Sequence, residues 1–175
     1  FASILTGIEF DHADIYRDLE HIKDSFRKFV KIIHPSGFLL AAFSDKNVKD
    51  VLANAPCQVE TYGFSSCADW VIDGYKLIDG KGHFTLIHQS IKIANFHLPM
   101  IGRHNIENAT SVAIMGLKLG LTTEDIQKGF QTFKGIKRRQ EVVEVKNEVT
   151  IIDDFAHHPT AIKLTLEAVK EAYPN

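Results

Sequence analysis

Apolar positions change their spacing several times along the chain, and each change predicts an element. Ile4 to Ile8 is a short apolar-rich run of strand length. After Asp11, residues Ile15, Leu19, Ile22, Phe26, Phe29, Val30 and Ile33 recur mostly at steps of three and four. That spacing lines one face of a helix, which should end before the breaker sequence His34-Pro35-Ser36-Gly37. Phe38 to Phe43 is unbroken by charge, the pattern of a strand covered on both faces. Ser44 or Asp45 is placed to cap a helix carrying Val48, Val51 and Leu52, and Gln58 to Gly63 reads as the next strand. Strands alternating with helices in this way predict an α/β fold, a mainly parallel sheet with crossover helices.

Between Asp69 and Ile101 the texture shifts to short strands punctuated by Asp73-Gly74, Asp79-Gly80 and Gly82, which are hairpin signals. A small antiparallel sheet beside the parallel one is expected. Helical spacing returns after Gly102, with Ala109, Val112, Ala113 and Leu117 on one face and Gly120 where a helix C-terminus wants a residue free to take positive φ. Thr122 and Asp125 have capping-box spacing, and the helix they open should bury Ile126, Phe130 and Phe133. Beyond Gly135 the pattern becomes two short strands, around Val143-Glu144-Val145 and from Val149 to Ile152, with a polar turn near Asn147-Glu148. Pro159 then starts a helix whose buried face is predicted to be Ile162, Leu166 and Val169. A boundary near Gly135 divides the chain into residues 1–134 and 135–175, the second too short for a core of its own.

Composition narrows the function classes. With 175 residues, 45% hydrophobic and 24% charged, the chain has material for a folded core. A net charge of -2 offers no basic field for nucleic acid or a membrane surface. No apolar run approaches the roughly 20 residues that span a bilayer. Cys57 and Cys67 are too few for a disulfide scaffold and lack zinc-site pairing, so a reducing cytoplasm is the expected setting. The first residue is not Met, and the chain opens as though inside a strand, so it is read as an excised segment.

Four clusters concentrate chemistry. Glu9-Phe10-Asp11-His12-Ala13-Asp14 follows the first strand, where ligands bind in open α/β sheets; it is either an acidic helix start or, through His12, a metal or phosphate site. Gly102-Arg103-His104-Asn105-Ile106-Glu107-Asn108 precedes a small-residue helix. Its amides Asn105 and Asn108 can cap the helix, or both donate to and accept from an adenine edge. Lys137-Arg138-Arg139-Gln140-Glu141 at the boundary is either a solvated run or a source of an arginine that reaches phosphate when domains close. Asp153-Asp154-Phe155-Ala156-His157-His158-Pro159 places two carboxylates and two imidazoles at a strand end entering a helix. Packing does not explain that concentration, and the setting suits an anionic or ribose ligand better than zinc.

Taken in order, these segments resemble the Mur ligase family, which also includes folylpolyglutamate synthases. The matching landmarks are Glu-x-Asp-His-x-Asp, His-Asn-x-x-Asn, Arg-x-Glu after a junction glycine, and Asp-Phe-x-His. The resemblance implies the central ATP-binding domain of such a ligase and the beginning of its Rossmann-like C-terminal domain. It implies ATP and magnesium as cofactors, with His12 as a magnesium ligand, Asn105 and Asn108 on the adenine and Asp154 on the ribose. Arg139 would reach the γ-phosphate, and His157 would act near the phosphates or the incoming amine. The implied reaction is amide formation through an acyl phosphate on UDP-N-acetylmuramate. Segments 8–15 and 153–162 resemble the members that attach a recycled murein tripeptide. Alanine-adding members tend to carry Tyr-Gly where Phe155-Ala156 stands. An alanine-adding ligase and a non-catalytic nucleotide-binding module remain alternatives. The family's Gly-rich phosphate loop and its lysine are expected before Phe1, and the segment alone is expected to be inactive. Arg27 and Lys28 fall where some members carry a carbamylated lysine.

Overall fold

The computed structural model describes residues 2–174; Phe1, where the sequence already reads as strand, lies outside them. One six-stranded sheet runs in the order β1 (Ala2–Leu5), β2 (Phe38–Ala42), β3 (Gln58–Gly63), β4 (Trp70–Ile78), β5 (Lys81–His88), β6 (Ile91–Leu98). Pairings β1–β2, β2–β3 and β3–β4 are parallel, and β4–β5 and β5–β6 are antiparallel. The α/β class therefore holds. The hairpin strands extend the parallel sheet rather than forming a separate one beside it, joined where Tyr62 pairs Trp70 and Gly63 pairs Val71.

Helices α1 (Leu19–Lys31) and α2 (Lys46–Leu52) cover one face, and α3 (Arg103–Lys118) and α4 (Thr123–Thr132) the other. Alternation along β2 explains both layers. Leu40 and Ala42 belong to the α3–α4 core with Phe84, Phe96 and Ile114, whereas Leu39 and Ala41 belong to the α1–α2 core with Ile22, Val30 and Val48.

Several predicted boundaries move. β1 stops at Leu5, and α1 starts at Leu19, because Asp18 takes the cap by accepting from His21 N–H; Ile15 stays outside, 64% exposed. Asp45 caps α2 by accepting from the N–H groups of Asn47 and Val48. The Thr122–Asp125 capping box is complete. Its helix buries Ile126 and Phe130, while Phe133 stays largely exposed. Gly120 closes α3 with the paired bonds of a Schellman turn, Leu121 N–H to Gly116 O and Gly120 N–H to Leu117 O, both 3.0 Å. Asp73-Gly74 is not a turn: β4 runs through it with a register shift between Asp73 and Lys76. The second hairpin turn is instead Gln89-Ser90, with φ of 51° and 65°.

After the linker, β7 (Glu141–Lys146) and β8 (Val149–Asp153) form a two-stranded antiparallel sheet, followed by α5 (Pro159–Ala172). The predicted buried face of α5 is reversed at two positions. Ile162 and Leu166 are exposed, and Ala168 is the residue enclosed against the first turn of α3. The small side chain of Ala168 permits that close approach to Gly102, which a helical period weighted by residue size does not register.

Candidate functional site

The site gathers where β1 ends, α3 begins and β8 passes into α5. Gly102 starts α3 at φ 89°, and no side chain caps the helix. The helix's first turn is therefore tied to its surroundings by Asn105. Its Nδ2 donates to Ile101 O at 2.8 Å and to Gln140 Oε1 at 2.9 Å. Gln140, from the linker, in turn donates its backbone N–H to Asp154 Oδ2 at 2.9 Å. Asp154 Oδ1 accepts from Ala156 N–H at 2.7 Å, which folds the start of the loop into α5. One chain of bonds thus joins Asn105 on α3 to Asp154 at the end of β8.

His104 sits beside Gln140, its Nε2 3.4 Å from Gln140 Nε2. Burial holds its pKa below the usual imidazole value, with the Asp154 carboxylate pulling the other way. Its Nδ1 is enclosed without a partner among the described residues. Asn108 is exposed one turn further on, and its backbone carbonyl accepts from Ser111 Oγ at 2.7 Å. Glu107, between them in sequence, has its carboxyl pKa raised by burial, opposed by Arg103.

The two arginines divide their work. Arg138 lies 3.6 Å from Asp153 and 4.8 Å from the Phe155 ring, and its N–H donates to Glu141 Oε2. Arg139 is exposed, 5.8 Å from the same ring, and makes no ion pair among the described residues. It lines a cavity of about 610 Å³ with Pro99, Ile101, Gln140 and Tyr173, between the start of α3 and the linker.

The histidine end of the site is a separate group. His158, at the start of α5, places Nδ1 2.8 Å from Glu9 Oε2 and Nε2 3.2 Å from Phe10 O. His157 is exposed and turns Nδ1 toward Phe155 O at 3.1 Å. His12 is exposed at φ 55°, a conformation histidine tolerates better than most residues. Its N–H donates to Asp11 Oδ1, which is the main reason that carboxyl titrates below its usual range. No group of three His, Cys, Asp or Glu side chains converges as a metal cage among the described residues.

The structure therefore brings Asn105, Asp154 and Arg139 to one junction, and His12 and His157 to its other end. Two participants escaped sequence reasoning. Gln140 reads as part of a charged run and gains meaning only from its partners, and His158 reads as the twin of His157 although it alone bridges to Glu9. Arg27, at the carbamylated-lysine position, is paired with Asp24 and Glu20.

Below the cavity, Tyr75 donates its hydroxyl to Glu171 Oε2 at 2.9 Å, and its pKa is pushed up to about 12, chiefly by burial. Among the described residues no helix is long and apolar enough to cross a membrane.

Known proteins are similar to this chain in sequence and in fold. A UDP-N-acetylmuramate–L-alanine ligase of Acetivibrio thermocellus is 35% identical over 99% of this chain, and one of Clostridium botulinum is 38% identical over all of it. The chain spans 38% of the length of each. Among solved structures, a MurF from Acinetobacter baumannii superposes with a TM-score of 0.82 at 23% identity, covering 96% of this chain and 37% of that one. A murein peptide ligase from Psychrobacter arcticus superposes at 0.67 with 27% identity, covering 98% of this chain and 35% of that one. The Mur ligase middle domain matches residues 1–116, and the Mur ligase glutamate ligase domain matches 138–175. The chain belongs to the Mur ligase family.

Proposed function

We propose that this chain supplies the adenine, ribose and γ-phosphate-facing side of the ATP site in a ligase that joins L-alanine to UDP-N-acetylmuramate. The observation that carries the site reading is the bonded chain from Asn105 through Gln140 to Asp154, which links an amide on α3 to a carboxylate at the end of β8. A carboxylate has about four lone-pair positions. Two on Asp154 are taken by Gln140 and Ala156, so it retains capacity for ribose hydroxyls. Asn105 and Asn108 face the base in this reading. Arg139, which makes no ion pair among the described residues, reaches the γ-phosphate as residues 135–175 close on 1–134.

With no cage of three ligating side chains among the described residues, magnesium would be held mainly by phosphate oxygens and water, its usual manner in phosphoryl transfer, with the exposed His12 as a protein ligand. It would neutralise charge on the transferring group. An oxygen of the lactyl carboxylate attacks the γ-phosphorus, the bond to the bridging oxygen breaks, and ADP leaves. The alanine nitrogen then attacks the acyl carbon, the bond to phosphate breaks, and the amine loses its proton as inorganic phosphate departs. His157 acts near the phosphates or the incoming amine.

The choice of alanine follows relatives matched across the whole chain. A second reading, addition of L-alanyl-γ-D-glutamyl-meso-diaminopimelate, is favoured by the Phe155-Ala156 signature and by the murein peptide ligase structure. Phosphate release separates them, measured on the intact protein with ATP, magnesium, UDP-N-acetylmuramate and one amine at a time. Release with alanine is the expected result. Release with the tripeptide alone overturns the alanine assignment, and ATP binding without release from either amine would make this a nucleotide-binding module.

A further inference from the structure

Hydrogen bonds around Asn105 have a fixed direction. Its Nδ2 has two hydrogens and both are used, one on Ile101 O at 2.8 Å and one on Gln140 Oε1 at 2.9 Å. A backbone carbonyl only accepts, so Ile101 determines which end of the amide carries nitrogen. Asn105 Oδ1 has no protein partner among the described residues, yet it is not among the enclosed unpaired atoms. It remains open as an acceptor. Gln140 continues the order: with Oε1 on Asn105, its Nε2 turns to His104 Nε2, which accepts when the ring is neutral.

Backbone geometry shows that Gln140 is held in place. Its φ is 51°, and that of Arg138, two residues earlier, is 60°. Left-handed values at residues other than glycine persist where the surroundings over-determine them, and they gather at functional sites. Here the constraints are the bonds from Gln140 N–H to Asp154 and from Arg138 N–H to Glu141.

We propose that Gln140 is a specificity-determining positioning residue: by taking the second Nδ2 hydrogen of Asn105, it leaves that amide a pure acceptor, which selects a purine with an amino group at C6 over one with an oxo group. The proposal rests on the reading that Asn105 faces the base. A 6-amino group donates to Oδ1, whereas a 6-oxo group sets two acceptors against each other. Turning the amide to offer Nδ2 would abandon both Ile101 O and Gln140 Oε1. A mismatch of this kind is worth roughly 10- to 100-fold in binding.

ATP and inosine triphosphate test this, since their bases differ as 6-amino and 6-oxo forms. Both are titrated by competition against a fluorescent ATP analogue on the intact protein, as wild type, Gln140→Leu and Gln140→Glu. Wild type should prefer ATP by at least about tenfold. Gln140→Leu frees one Nδ2 hydrogen and should cut the preference to about threefold or less, while Gln140→Glu keeps an acceptor toward Asn105 and should retain it. Gln140→Met is carried alongside, so that the ratio is still read if the leucine variant does not fold. A purely structural role would weaken both nucleotides by one factor. An unchanged ratio in Gln140→Leu or Gln140→Met, with ATP still bound, overturns the proposal alone; failure of wild type to bind either nucleotide overturns the base-facing assignment beneath it.

Discussion

Replacing Gly102 by alanine tests how the last helix is seated on the rest of the fold. A Cβ at this position would lie 2.5 Å from Ala168 Cβ and 2.9 Å from His104 Cε1. Ordinary carbon contacts begin near 3.5 Å, so about 1 Å must be recovered. His104 can turn aside, but Ala168 Cβ is fixed to the backbone of α5, and the helix itself has to move. That motion strains the Tyr75–Glu171 bond at 2.9 Å and the His158–Glu9 pair at 2.8 Å. Overpacking of this kind costs about 1–3 kcal/mol. The backbone adds a second contribution, because φ 89° with ψ 143° is a region used almost only by glycine. Forcing another residue there costs about 1–3 kcal/mol. The total, about 2–6 kcal/mol, is a large share of a stability of roughly 5–15 kcal/mol. Gly120→Ala is the comparison: its φ is also positive, at 90°, but nothing lies within 4 Å of an added Cβ, so it carries a backbone cost without a steric one. Urea denaturation of both variants sets a glycine whose added Cβ meets α5 against one whose added Cβ meets nothing. If Gly102→Ala loses no more stability than Gly120→Ala, Ala168 does not rest against Gly102 and the account of the junction is wrong.

Two further outcomes follow from the same structure. Asp45→Ala removes the acceptor for the N–H groups of Asn47, Val48 and Ile8, so it should uncap α2 and release the loop before Glu9 together, costing about 2–3 kcal/mol by denaturation, with faster amide exchange at residues 8–11. His104 has a folded pKa below its unfolded value, so the unfolded chain binds the extra proton first; stability is complete above about pH 6.5 and falls as pH drops toward the folded pKa. His104→Gln should flatten that part of the pH–stability curve, and an unchanged slope would remove His104 as its source.

Legibility in the sequence tracked how local each determinant is. The Thr122–Asp125 box and the Asp45 cap are complete within four residues, so pattern alone locates them. At α1 the Asp18 cap prevailed over the apolar spacing that draws Ile15 into the helix. Asp73-Gly74 has the composition of a turn, but β5 pairs on both sides of it and makes it a bulge, which only the partner strand decides. The site follows the same rule. Asn105, Arg139 and Asp154 are visible because amides, arginines and carboxylates beside helix starts suggest ligand chemistry. Gln140 is a polar residue among charges, and its three bonds reach residues 14 to 36 positions away, where no window of sequence connects them.

The bridge from His158 to Phe10 spans 148 positions of chain. Closing a loop of that length is entropically unfavourable, at a cost that grows with the logarithm of its length. Long-range contacts of this kind are late rewards in folding. The sheet and its four covering helices can therefore assemble before residues 9–12 and 157–158 meet. On the proposed ATP-site reading, nucleotide affinity would be a gauge of complete folding: a protein whose sheet is intact but whose α5 has not docked would keep its secondary structure and lose its ligand. By mass action, ligand would in turn favour the docked state.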